Sequence, residues 1–413
     1  MPDGAGHGGT PMPTIHPTGR RWLQLALLLL LVLALLAGVA AAAPRIGVAT
    51  MQPGEIFWER FGHNALVVLD PATGEAISYN YGFFDPTEPD FVGRFVRGEP
   101  RYRLAALPFE QDMAIYRDEG RGVDIQWLAL DATTAQALAD ALAFNARPEN
   151  AHYRYDYFLD NCSTRVRDAI DNALGGALRR QMAGRSQGST YRSEATRLAS
   201  PAPLMWLGFD LGLGPSADVP LSRWAEAFVP MRLADALRDT RLPDGRPLVL
   251  EEQQILPHRL APEPMGAPTR WLLWALAGVT VAIALAALGR RSPRAVAGFA
   301  AVFWLACGVA GALMLFIWLG TEHRFGWANR NLLLANPLCW LLLPGAVTLL
   351  RGRVPRAWFR VTLWAVAALP VAALFGYWLS VLPQRHLHWI ALLWPLHLAL
   401  AWTFGRRSAR PGL

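Results

Sequence analysis

The chain of 413 residues contains no lysine; its 39 basic residues are all arginine. That removes Schiff-base chemistry and the lysine of a phosphate-binding loop from the possible mechanisms. Cysteine is scarce, at three residues, and Cys162 is the only one between the first hydrophobic run and the last five, so that intervening segment holds no internal disulfide. The same segment has no cysteine pair or histidine cluster at metal-ligand spacing, and no metal or cofactor is expected. Its glycine-rich stretch, Gly208 to Gly214, lacks the strand and helix context of a nucleotide loop and reads as a loop.

Long apolar runs are what the chain does have. Residues 23–43 form one, and the C-terminal third holds five more, at 271–288, 295–320, 332–350, 358–380 and 387–404. Each is near the ~20 residues that a bilayer-spanning helix needs. The organisation expected is a cytoplasmic N-terminus with a first transmembrane helix or signal anchor (1–43), an extracytoplasmic domain (44–250), a proline-rich linker (251–269), a five-helix membrane domain (270–405) and a cytoplasmic tail (406–413). Ala41-Ala42-Ala43 offers a cleavage site, but Pro44 follows directly and the run exceeds a signal core, which favours an uncleaved anchor.

Arginine placement orients the chain. With the N-terminus inside, twelve arginines, from Arg20 and Arg21 through Arg290, Arg291, Arg294, Arg351, Arg353, Arg356 and Arg360 to Arg406, Arg407 and Arg410, fall on the cytoplasmic side. The opposite short loops carry only Arg324, Arg330 and Arg385. This positive-inside bias puts residues 44–250 outside the cytoplasm. The net charge of +7 is thus mainly a topology signal, and a nucleic-acid partner is not expected.

Within that domain the first half reads as strands. Residues 64–69, the turn Asp70-Pro71-Ala72-Thr73-Gly74 and residues 76–81 make a hairpin in which Val68 pairs with Ile77. Residues 101–107 and 123–130 look like two further strands, and Asp131 opens a helix through Phe144. From Tyr155 the pattern is mostly helical, giving an α+β domain. After Cys162 the spacing of Val166, Ala169, Ile170, Ala173 and Leu174 is helical and stops at Gly175-Gly176. Asp160 or Asn161 can cap this helix, so the thiol lies in its first turn, where free N–H groups and the helix dipole favour a thiolate. A small buried residue is the bland alternative.

A thiolate acyl-transfer site needs a base. His63, in Phe61-Gly62-His63-Asn64, heads the first hairpin strand, where glycine lets another backbone approach. The Val68–Ile77 pairing places it opposite residues 80–82, so Asn80 can fix its tautomer as the third member of a thiol–imidazole–amide set. Arg165, one turn into the helix, fits either a lipid phosphate or an ion pair with Asp168.

The order of histidine strand, hairpin and Asn-Cys at a helix start resembles the circularly permuted papain-like hydrolases and acyltransferases. More narrowly, Phe61-Gly62-His63-Asn64-Ala65, Tyr79-Asn80-Tyr81-Gly82, Tyr155-Asp156-Tyr157-Phe158 and Asp160-Asn161-Cys162-Ser163-Thr164-Arg165 resemble the Lnb-type family, which is associated with N-acylation of bacterial lipoproteins. Thr321-Glu322-His323, Asn329, Asn331 and Asn336-Pro337 resemble that family's loop between two membrane helices. The resemblance implies a permuted papain-like extracytoplasmic domain, an antiparallel sheet plus helices, fused to an all-α transmembrane bundle in the inner membrane. It further implies acyl transfer from a phospholipid, through a Cys162 thioester with His63 as base, to the α-amine of a diacylglyceryl-modified lipoprotein. The oxyanion would be met by the Cys162 N–H with Asn161 nearby. Loop 320–331, with His323, Asn329 and Asn331, would hold a phosphate or the amine, unless it is an ordinary hydrated turn. A membrane-tethered thiol amidase acting on cell-wall peptides and a non-catalytic scaffold are the alternatives.

Overall fold

The computed structural model describes residues 9, 22, 24–28, 43–184, 186–266, 270–379 and 384–406. Most of the first apolar run therefore lies outside the described residues. Strands β1 (Arg45–Met51), β2 (His63–Leu69), β3 (Ala76–Phe83), β4 (Arg101–Pro108), β5 (Val123–Leu128), β6 (His152–Arg154) and β7 (Val249–Leu256) form one sheet in the order β6-β4-β3-β2-β1-β5-β7. Every adjacent pair is antiparallel. Val68 stands opposite Ile77 as the hairpin reading requires, and the turn closes through Gly74 N–H to the Asp70 carbonyl at 2.8 Å.

Helices cover both faces. After α1, the short Phe91–Arg97 segment between β3 and β4, α2 (Phe109–Glu119) lies on one face and packs Met113 against Met51, Val67 and Ile125. On the other, α3 (Ala132–Asn145) and α4 (Cys162–Ala173) bury Leu138, Leu142, Val166 and Ile170 against Val48, Leu66 and Leu104. β1 is buried on both faces from Ile46 to Met51 and so lacks the alternation that marks a half-exposed strand. The further helices of the domain include α5 (Tyr191–Ala199), α6 (Pro203–Gly212) and α7 (Pro230–Arg238). Two expectations need correction here. Residues 203–212 are helical rather than a loop, and the sheet runs on to Leu256, inside the segment expected to be linker.

Five apolar spans follow, Trp271–Arg291, Pro293–Gly320, Arg324–Leu350, Ala357–Trp378 and Leu387–Gly405, long enough to cross a membrane. They are built from α8 (Trp271–Arg291), α9 (Pro293–Gly320), α10 (Leu343–Leu350), α11 (Ala357–Leu379) and α12 (Leu387–Gly405). The third span is not the continuous helix expected at 332–350: 3₁₀ turns at Arg330–Leu333 and Pro337–Leu342 precede α10. Pro337 and Pro344 have no N–H to continue an α-helical ladder. Asn331, Cys339 and Leu342 of these turns are fully buried, while Leu338, Trp340 and Leu341 face outward.

The two parts are stitched together at α6. Asn329 and Asn331 each donate from Nδ2 to the Leu211 carbonyl, at 2.8 and 2.9 Å. Asp210 accepts from His388 Nε2 at 2.6 Å and Trp389 Nε1 at 2.8 Å. Buried Arg192 gathers the Asp210 and Leu213 carbonyls at 2.5 and 2.7 Å, and pairs with Asp218.

Candidate active site

Cys162 is the first residue of α4. Asn161 caps that helix through a reciprocal box, its Oδ1 accepting from Thr164 N–H at 2.9 Å while its own N–H donates to Thr164 Oγ1 at 2.7 Å. The start of α4 is further pinned by Ser163 Oγ, which donates to the Ala227 carbonyl at 2.7 Å. The thiol is buried. Burial pushes its pKa up, and the backbone N–H groups of Asn64, Ser163 and Cys162 directed at the sulfur pull the other way without winning. The resting group is thus a thiol, not the thiolate that helix position alone favours.

His63 opens β2, beside a Gly62 with φ of 76°. A Cβ on that glycine would stand 2.8 Å from the Met51 carbonyl. His63 Nε2 lies 3.0 Å from Asn80 Oδ1, and Asn80 Nδ2 donates to Asp112 Oδ2 at 3.0 Å. The carboxylate fixes the direction of the whole chain of bonds. Asn80 must present its oxygen to His63, Nε2 must carry the proton, and Nδ1 keeps a lone pair. Burial, with the nearby Arg121 charge, pushes the imidazole down to about 4 despite the Asn80 bond. The sequence carries no motif that marks Asp112 or Arg121; one lies in the first turn of α2 and the other just past its end.

Cys162 and His63 line one cavity of about 890 Å³. Its walls include Phe57, Trp58, Phe84, Tyr155 and Phe209 of the periplasmic side, and Ile317 with residues 322–326 close it from the membrane side. A bulge in β3 after Asn80 puts Gly82 beside the thiol, where a Cβ would be 3.6 Å from Cys162 Cβ. Among the described residues no three His, Cys, Asp or Glu side chains converge as a metal site would require.

The other expected site residues divide. His323 reaches the cavity wall, donating from Nε2 to the Phe95 carbonyl at 3.1 Å and stacking on Tyr157 at 6.1 Å. Asn161 stands by the thiol, but its Nδ2 is spent on the Tyr157 and Phe228 carbonyls, both at 2.9 Å, so its amide is not free for an oxyanion. Arg165 faces away, into a separate groove between α3 and α4. There it pairs with Asp160, not Asp168, and lies over the Tyr153 ring at 4.0 Å. Asn329 and Asn331 are occupied by Leu211 and do not line the cavity.

The family model for the Lnb N-terminal periplasmic domain matches residues 36–195, and that for the Lnb transmembrane domain matches residues 265–406. No curated protein and no solved structure matches the chain. With a sheet domain carrying the thiol and five apolar spans after it, the chain belongs to the Lnb-type family, as a multi-pass inner-membrane protein whose N-terminal domain is periplasmic.

Proposed function

We propose that the protein is a lipoprotein N-acyltransferase with a permuted papain-like site, working through a Cys162 thioester. The observation that carries this reading is the shared cavity: thiol and imidazole open onto an apolar, aromatic-walled space that the membrane part helps to close. Lipid substrates can enter it without leaving the bilayer, and the walls protect a thioester from water. Sγ attacks an ester carbonyl of a phospholipid while His63 Nδ1 takes the thiol proton. The oxyanion is met by first-turn N–H groups of α4, which have no partner within the helix. His63 then protonates the departing glycerol oxygen, the C–O bond breaks, and a lysophospholipid leaves. In the second half the α-amine of a diacylated lipoprotein attacks the thioester, His63 accepts an amine proton, the C–S bond breaks and the thiol is restored.

The test is mass spectrometry of a lipoprotein N-terminal peptide from cells lacking their own N-acyltransferase. A third acyl chain appears with the intact protein and is absent with Cys162→Ala and with His63→Ala. A diacyl peptide in every strain, with the proteins inserted and well expressed, defeats the reading and turns attention to cell-wall peptides.

A further inference from the structure

One corner of the catalytic cavity is polar in an otherwise aromatic enclosure. Glu59, Glu119 and Arg121 all line it. Arg121 is 4 % exposed. Its Nε donates to the Gln52 carbonyl at 2.9 Å and its Nη1 to Glu119 Oε2 at 3.1 Å. Its Nη2 has no partner among the described residues. A buried guanidinium with an unused donor is a costly arrangement unless an acceptor arrives, and phosphate is the acceptor its planar fork suits best. Beside it, Glu59 feels both burial and the Glu119 charge, each raising its pKa. Glu119 pairs with Arg121 while Glu59 senses the guanidinium at longer range, and two carboxylates beside one guanidinium leave a negative corner that a primary ammonium would neutralise.

On the acyl-transfer reading, we infer that this corner receives the zwitterionic phosphoethanolamine head group of the acyl donor, Arg121 taking the phosphate and the Glu59–Glu119 pair the ammonium. A phosphoglycerol head would satisfy Arg121 and leave the carboxylates uncompensated. A phosphocholine head carries the cation without N–H donors. The corner therefore selects the donor as well as holding it.

The experiment uses the full-length protein in detergent, without any acceptor, and follows the acyl adduct on Cys162 by intact mass. Dioleoyl phosphatidylethanolamine should acylate about tenfold faster than the phosphatidylglycerol or phosphatidylcholine analogue, the factor one charge-assisted hydrogen bond is worth. Glu59→Gln with Glu119→Gln should erase that preference. Arg121→Gln should slow all three phospholipids yet spare acylation by p-nitrophenyl butyrate, which has no phosphate. Equal rates for the three lipids in the unaltered protein overturn the inference alone. So does an equal loss with the nitrophenyl ester, which would place Arg121 in service of the Cys–His pair. So does a double Glu variant that keeps its lipid preference and fails only when a lipoprotein amine is added, since the ammonium would then be the acceptor's. If Arg121→Gln does not fold, the double Glu variant decides. No adduct from any lipid defeats the acyl-transfer reading itself, and this inference with it.

Discussion

At the scale of single residues, the cavity holds a thiol and an imidazole that burial disposes to stay uncharged. Burial raises the Cys162 thiol and holds His63 near 4. Alkylation of Cys162 by iodoacetamide should therefore be slow at pH 7 and climb only above pH 9; fast alkylation at pH 7 would show a resting thiolate. The imidazole stays unprotonated far into acid, so the acidic limb of the acylation rate should fall near 4, well below the ordinary histidine value of about 6.5. The same shift bears on stability. The unfolded chain binds a proton at His63 as pH falls through 6.5 while the folded one does not, so this group's contribution is complete above 6.5 and is lost as pH drops toward 4. Asp112 sets the amide orientation, and Asp112→Asn would let Asn80 turn over and offer its NH₂ to His63 Nε2, which drives the ring proton onto Nδ1. Loss of that bond is worth about 1–3 kcal/mol, so acylation should slow roughly ten- to hundredfold with Cys162 still alkylated normally at high pH. His63, Asn80 and Cys162 were legible because strand alternation and helix capping are local rules. Asp112 and Arg121 were not, since what brings them to His63 is the packing of α2 and its following turn on the sheet.

At the scale of elements, the hairpin and α4 were readable from turn residues and helical spacing, whereas β1, β7 and α6 were not. β1 lacks alternation because both its faces are buried. β7, Val-Leu-Glu-Glu-Gln-Gln-Ile-Leu, is an exposed edge strand whose polar residues hide its register with β5. The glycines of α6 argue against a helix, and tertiary contacts override them: Arg192 and the two asparagines satisfy carbonyls at the helix end that would otherwise be orphaned. Removing both amides, in Asn329→Ala with Asn331→Ala, leaves the Leu211 carbonyl unsatisfied at a cost of about 1–3 kcal/mol. The thermal unfolding midpoint in detergent should fall, and a double variant that melts with the unaltered protein would show that α6 is held by apolar packing alone.

At the scale of the whole molecule, arginine distribution and apolar spans agree on orientation. In a background with Cys162, Cys307 and Cys339 replaced by alanine, Arg324→Cys should react with an impermeant maleimide in intact cells stripped of their outer membrane. Arg353→Cys should react only after the inner membrane is opened. The reverse pattern would invert the topology. Residues 322–326 and Ile317 also complete the cavity wall around Cys162, so the membrane part builds the chamber as well as anchoring it. Its partner surfaces, Phe95, Arg97 and Leu211, lie in the periplasmic part. A hybrid that joins the first 266 residues of this chain to the spans of a distant relative would inherit mismatched halves of one chamber. On the acyl-transfer reading, substrate preference should therefore follow both regions together and neither alone.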